Sequence, residues 1–137
     1  MATIMLVFLG SAIGGVCRYR LSNTIKAAWP GRFPLGTLLV NVSGCLLIGL
    51  VWAWMTGSAD LTTDHRMPPT TVLLQKHGAL HFLVLGVLGG YTTVSSVALN
   101  TLELLQERRH LAAVVNLLGS WLICLLAAFA GYWVMTA

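Results

Sequence analysis

Gly86-Val87-Leu88-Gly89-Gly90-Tyr91-Thr92-Thr93-Val94-Ser95-Ser96-Val97 sits inside an apolar run from Ala79 to Leu102 whose only group ionisable near neutrality is His81. A run of that length covers the ~30 Å hydrocarbon core of a bilayer as a helix, which needs about 20 residues. Two adjacent glycines lose about 2 kcal/mol of helix propensity relative to alanine, and the Thr and Val residues that follow are poor helix formers in water. The expectation is a helix break near the membrane midplane, at the paired glycines. The alternative is a Gly-rich packing face on a continuous helix. Carbonyls released by a break cannot face lipid, so they must meet protein, water or a cation.

Outward from this segment, three further apolar runs have spanning length: about Ala2 to Leu21, charged only at its end by Arg18 and Arg20, whose long side chains can snorkel to the headgroups; Phe33 to Met55; and Leu111 to Ala137, the last two without a charge. The predicted helices are therefore about 2–21, 33–55, 79–102 and 111–137, forming one all-α, four-helix transmembrane domain over 1–137. Composition agrees. Of 137 residues, 57% are apolar and 9% charged, far below the ~25% charged of soluble domains, and the mean hydropathy is +0.82. Disorder, collagen and coiled coil are excluded. A cleavable signal peptide fits poorly, because no Lys or Arg precedes the first apolar run and no small-x-small cleavage site follows it.

The connectors are a basic loop around Lys26 to Arg32, a polar excursion from Thr56 to Gly78 with Asp60, Asp64, Pro68 and Pro69, and a tight turn at Glu107 to His110. Arg20, Lys26, Arg32, Arg108 and Arg109 flank the first and third loops, against Arg66 and Lys76 in the middle one. The positive-inside rule then favours termini outside. Lys plus Arg number 8 against 4 Asp plus Glu, but the charges are scattered, so no nucleic-acid-binding face forms.

Asp60, Asp64, Glu103 and Glu107 all lie in or beside loops, so no carboxylate stands at membrane depth for proton exchange. The chain has no nucleophile elbow, Walker loop, dinucleotide fingerprint or metal-ligand cluster, and it is not expected to be an enzyme. His65, His77, His81 and His110 read as loop or interface residues. Cys17, Cys45 and Cys124 read as small packing residues. The spans do carry neutral polar groups in helical register. Thr37, Asn41 and Cys45 follow at intervals of four, as do Asn116, Ser120 and Cys124, and residues four apart share a helix face. Each stripe is either interhelical glue, at ~0.6 kcal/mol per contact, or a polar track for an anion. Gly10 with Gly14, and Ala127 with Gly131, make small-x-x-x-small faces that suit packing within the chain or between copies.

These residues resemble the Fluc/CrcB fluoride channels through all four spans, though not in the 56–78 loop. Gly14-Gly15-Val16-Cys17-Arg18-Tyr19 is similar to that family's first-helix motif, and Pro34-Leu35-Gly36-Thr37-Leu38-Leu39-Val40-Asn41-Val42-Ser43-Gly44 to its second. Gly89-Gly90-Tyr91-Thr92-Thr93-x-Ser95 resembles the third-helix break, and Asn116 with Ser120 falls where the last helix carries polar pore residues. The resemblance implies a multi-pass protein of the bacterial inner (plasma) membrane. It also implies an antiparallel dimer in which the third-helix breaks cross and two fluoride pathways run along the interface. A structural Na⁺ would be held by the backbone carbonyls of Gly89 and Thr92 from both subunits. Pathway roles carry over to Asn41, Thr93, Ser95, Asn116 and Ser120, while Arg18 either gathers anions at one mouth or simply snorkels.

One departure stands out. Where the family pattern has two phenylalanines whose ring edges face fluoride, this chain has Val94 and Val97, which offer neither quadrupole nor donor. Either the chain pairs with a Phe-bearing paralogue, or it conducts poorly by itself. An antiparallel homodimer needs dual insertion and balanced loop charge, so the uneven Lys and Arg count leans toward a heterodimer, with a homodimer as the alternative. The implied function is passive, fluoride-selective efflux. The alternatives are a small multidrug-type exporter, whose membrane carboxylate is missing here, and a non-conducting structural subunit.

Overall fold

The computed structural model describes residues 2–31, 33–57 and 81–136, and every regular element among them is helical. The Thr56 to Gly78 excursion, with His65, His77, Arg66 and Lys76, falls beyond Gly57 outside the described residues, as does Arg32. Helix α1 spans Ala2–Ala28 and α2 spans Leu35–Gly57. The third span is two helices in line, α3 (π-helical over His81–Leu88, then α-helical over Gly89–Tyr91) and α4 (Val94–Gln106). The fourth is α5, His110–Thr136, with a π-helical turn at Val115–Gly119. Four helical stretches are thus long and apolar enough to cross a membrane, and the chain is a multi-pass membrane protein.

Local chemistry sets the ends. Helix α1 runs on past Arg18 and Arg20 and stops before Trp29-Pro30-Gly31, where proline forbids the helical conformation of its predecessor and lacks an N–H. Lys26 lies in its last turn, favourably placed against the negative end of the helix dipole. Helix α2 starts directly after Pro34, whose carbonyl accepts from Leu38 N at 3.3 Å, a position that proline tolerates. Helix α4 closes on a Schellman turn, with Arg109 N bonded to Leu104 O at 2.9 Å and Arg108 N to Leu105 O at 3.0 Å. The residue at its left-handed position is Arg108, at φ 57°.

In lipid, apolar burial drives helix association weakly, so close approach through small residues takes over. Helix α1 packs on α3 and α2 on α5. A Cβ on Gly10 would stand 2.6 Å from Phe82 O and 2.8 Å from Gly86 Cα, and one on Gly14 would strike the Val87 carbonyl. On the other side, Gly49 lies against Ala128 O and Gly131 against Leu46 O. The Gly10, Gly14 and Gly131 faces therefore pack within the chain. Among the described residues the buried apolar core is small, comprising Val40, Ala53, Leu88, Val97, Leu104 and Ala113, and three polar residues, Asn41, Asn116 and Ser120, are buried with it.

The third span is broken, but not at the glycines. Gly89 and Gly90 stay helical, and the chain extends at Thr92 (φ −79°, ψ 151°) and Thr93 (φ −152°, ψ 126°). Glycine propensity measured in water misplaces the break, because Gly86 and Gly90 serve close approach: Gly90 sits against the Ser11 backbone and Gly86 against Gly10. What interrupts the helix is a side chain from α2.

Candidate functional site

Asn41, buried on α2, presents its amide edge-on to the extended backbone of Thr93. Its Oδ1 accepts from Thr93 N–H at 2.8 Å and its Nδ2 donates to Thr93 O at 2.8 Å. The amide thereby reproduces a peptide's paired hydrogen bonds and satisfies both backbone groups of a residue that no helix can serve. Backbone at membrane depth requires such partners. Helix α4 is then restarted by a side-chain cap, Thr93 Oγ1 accepting from Ser96 N–H at 3.3 Å. The same oxygen lies 2.9 Å from Ser95 Oγ and 3.4 Å from Ser96 Oγ.

These diversions determine which carbonyls lose their helical donors. In an unbroken helix Thr93 N–H would bond Gly89 O, and Ser96 N–H would bond Thr92 O. Here Asn41 takes the first N–H and Thr93 Oγ1 the second. Upstream, the helix ends conventionally, with Thr92 N and Thr92 Oγ1 both bonded to Leu88 O at 3.0 Å. Tyr91 is tethered to α2 through its OH, 3.0 Å from Ser43 Oγ.

A groove of about 460 Å³ opens at the break between α2, α3, α4 and α5. Of the residues singled out by sequence, Asn41, Gly89, Thr92, Thr93, Val94, Val97 and Ser120 all line it. Val94 is 84% exposed, whereas Val97 is buried. Cys45, Leu117, Trp121 and Cys124 complete the wall, so among the described residues no ionisable carboxylate, imidazole or amine faces the groove. Ser95 is held at its edge by Thr93. Asn116 is not in the wall. It is 2% exposed and braces α5 against α4, donating to Thr101 Oγ1 at 2.8 Å and to Val97 O at 3.3 Å.

Arg18 belongs to a separate crevice of about 180 Å³, shared with Tyr19, Asn23, Thr37, Thr93 and Ser96. Thr93 is common to this crevice and to the groove. A third recess of about 230 Å³ adjoins the Arg18 crevice through Ser22, Asn23 and Thr37 and carries Lys26, Asn100, Glu103 and Glu107 at the membrane edge. The two smaller recesses form a polar succession from the α1 C-terminal end to the mainly apolar groove at the break, with Thr93 as the joint. Asn100, which donates to Thr37 Oγ1 at 2.9 Å, joins the site without being singled out by the sequence pattern, as do Ser96 and Thr101. An Asn one turn before Glu103 was the available signal.

The chain matches the family of CrcB-like protein, Camphor Resistance (CrcB), over residues 5–132. It is 44% identical over 133 residues to the fluoride-specific ion channel FluC of Paramagnetospirillum magneticum, covering 96% of this chain and 94% of that protein. Identity is 43% to FluC of Anaeromyxobacter dehalogenans, covering 95% and 92%, and 34% to FluC of Coxiella burnetii, covering 93% of each. With its broken third span, its groove at the break and a match that runs through all four spans, the chain belongs to the CrcB family.

Proposed function

We propose that this chain is a subunit of a fluoride-selective channel that lets fluoride leave the cytoplasm passively across the bacterial inner membrane. The observation that carries the reading is the groove at Thr92–Thr93, reached by a succession of polar recesses and free of carboxylates. Fluoride is small and strongly hydrated, so a selective route must replace its water with concentrated donors. Asn41 spends one amide hydrogen on Thr93 O and retains a second; the hydroxyls of Thr93, Ser95 and Ser120 add to it. Neutral donors avoid the strong binding that a fixed cation would impose. Arg18 stands one recess back, where it raises local anion concentration without entering the groove. An inside-negative potential supplies ~2.3 kcal/mol per charge per 100 mV, enough to expel the anion without ATP.

The groove is open along one side of the single chain, and Thr92–Thr93 lies on it. Extended backbone at this depth must be covered by protein or line a wet cavity, which supports an antiparallel dimer closing over the break. The Gly89 and Thr92 carbonyls, deprived of helical donors, suit a hard cation with oxygen ligands. Two carbonyls are too few for one, and a second subunit would supply two more. When bound there, Na⁺ would tie the two breaks together; the chain's own residues line the anion route. Val94 and Val97 on the groove favour a Phe-bearing paralogue as the second subunit over a second copy.

The test is fluoride efflux from liposomes holding the purified chain, alone and co-expressed with the paralogue. Fluoride-selective flux is expected, lost on Asn41→Asp. Flux of organic cations would indicate an exporter, and no flux in any pairing would leave a structural subunit.

A further inference from the structure

One turn beyond Asn41 and Ser120 on the same helices, the groove wall carries two thiols that conduction does not require. Cys45 on α2 and Cys124 on α5 are neighbours, are partly exposed, and both line the groove. Their juxtaposition is imposed by backbone. Helices α2 and α5 run parallel; one turn further along Gly49 lies against Ala128 O, and Gly131 lies against Leu46 O and Leu50 N. Short side chains on two rigid helices thus hold the sulfurs together. Cys17, by contrast, is exposed on α1 and lines none of the three recesses.

The donor set is two sulfurs with no His, Asp or Glu beside them in the groove. Zn²⁺ requires four ligands. Soft thiolate donors select d¹⁰ cations that accept two-coordinate, near-linear ligation. We propose that Cys45 and Cys124 form a two-coordinate site for a soft cation of the Cu⁺, Ag⁺ or Hg²⁺ class within the wall of the anion groove. On binding, two S–H bonds break, two sulfur–metal bonds form and two protons pass to water, with no change of oxidation state. Slowing of fluoride efflux by the bound cation rests on the conduction proposed above; the binding itself does not.

The experiment uses the full chain carrying Cys17→Ala, reduced, exposed to excess HgCl₂ and then washed with a monothiol in large excess. A mercury held by one sulfur exchanges onto the monothiol, whereas one held by two is retained. One Hg²⁺ per chain is expected to survive the wash. Cys45→Ser and Cys124→Ser, each of which keeps a hydrogen-bonding group, are expected to retain less than a tenth of that while melting at the parent temperature. Retention of two Hg²⁺ per chain, equal retention after either substitution, or none retained by a normally melting parent overturns the site. Efflux slowed at least tenfold by retained Hg²⁺ is expected, and unaltered efflux with one Hg²⁺ per chain overturns its placement in the pathway. A preparation with no fluoride flux at all leaves the metal count as the deciding readout, so the two readings fail separately.

Discussion

Replacing Asn41 by Ala removes both bonds that hold the Thr93 backbone, at 2.8 Å each, and leaves an N–H and a C=O at membrane depth. A buried polar group without a partner costs about 1–3 kcal/mol, while interhelical hydrogen bonds in membranes average only ~0.6 kcal/mol because the alternative state also finds partners. Two groups in one extended residue place the loss between these limits, at about 2 kcal/mol. At about 1.4 kcal/mol per factor of ten, the local opening equilibrium at Thr93 shifts by roughly thirtyfold. Amide hydrogen exchange in detergent reads this directly: Thr93 N–H is expected to exchange about thirtyfold faster in Asn41→Ala, with amides near the Gly49–Ala128 contact unchanged. Asn41→Asp separates the two bonds, since its carboxylate still accepts from Thr93 N–H but sets a negative oxygen against Thr93 O. Protection of the Thr93 amide is therefore expected to survive in Asn41→Asp while fluoride flux does not. A Thr93 amide as protected in Asn41→Ala as in the parent would refute the clamp.

Thr93→Val removes the oxygen that caps α4, at about 0.5–1 kcal/mol for a cap bond as long as 3.3 Å; Ser96 N–H is expected to exchange faster, and Thr93→Ser to restore it. Gly14→Ala sets a methyl against the Val87 carbonyl and 2.9 Å from Tyr91 N, a backbone clash worth about 1–3 kcal/mol, so its melting temperature in detergent falls. Gly15→Ala, with no atom within 4 Å of the new methyl, is expected to gain up to about 1 kcal/mol from helix propensity; equal behaviour of the two variants would count against the α1–α3 contact. Arg108→Gly relieves the left-handed position that ends α4, raising stability by about 0.5–1 kcal/mol in the same melting assay.

The four spans were readable because length and the absence of charge are linear properties of the chain, and the bilayer imposes them directly. The polar stripes were readable for the same reason, since a spacing of four needs no tertiary information to define a face. The position of the break was not. It is set by Asn41, 52 positions away from Thr93, whereas Gly90 of the glycine pair is consumed by close contact with the Ser11 backbone of α1. Asn116 likewise reads as lining by its register with Ser120, but Thr101 and Val97 O draw its amide behind the wall. Thr37 reads as a free hydroxyl until Asn100, 63 positions on, reaches it. In each case the sequence shows that a donor exists and the fold decides which acceptor it meets.

Fluoride conduction through the uncharged groove at the break in the third span is the proposal on which the rest depends. Its most direct test is the ratio of fluoride to chloride efflux from liposomes containing the purified protein, with and without a Phe-bearing second subunit. Fluoride efflux far above chloride, lost in Asn41→Asp protein that still assembles, is the predicted result; equal passage of both halides, or none of either in every pairing, would contradict it.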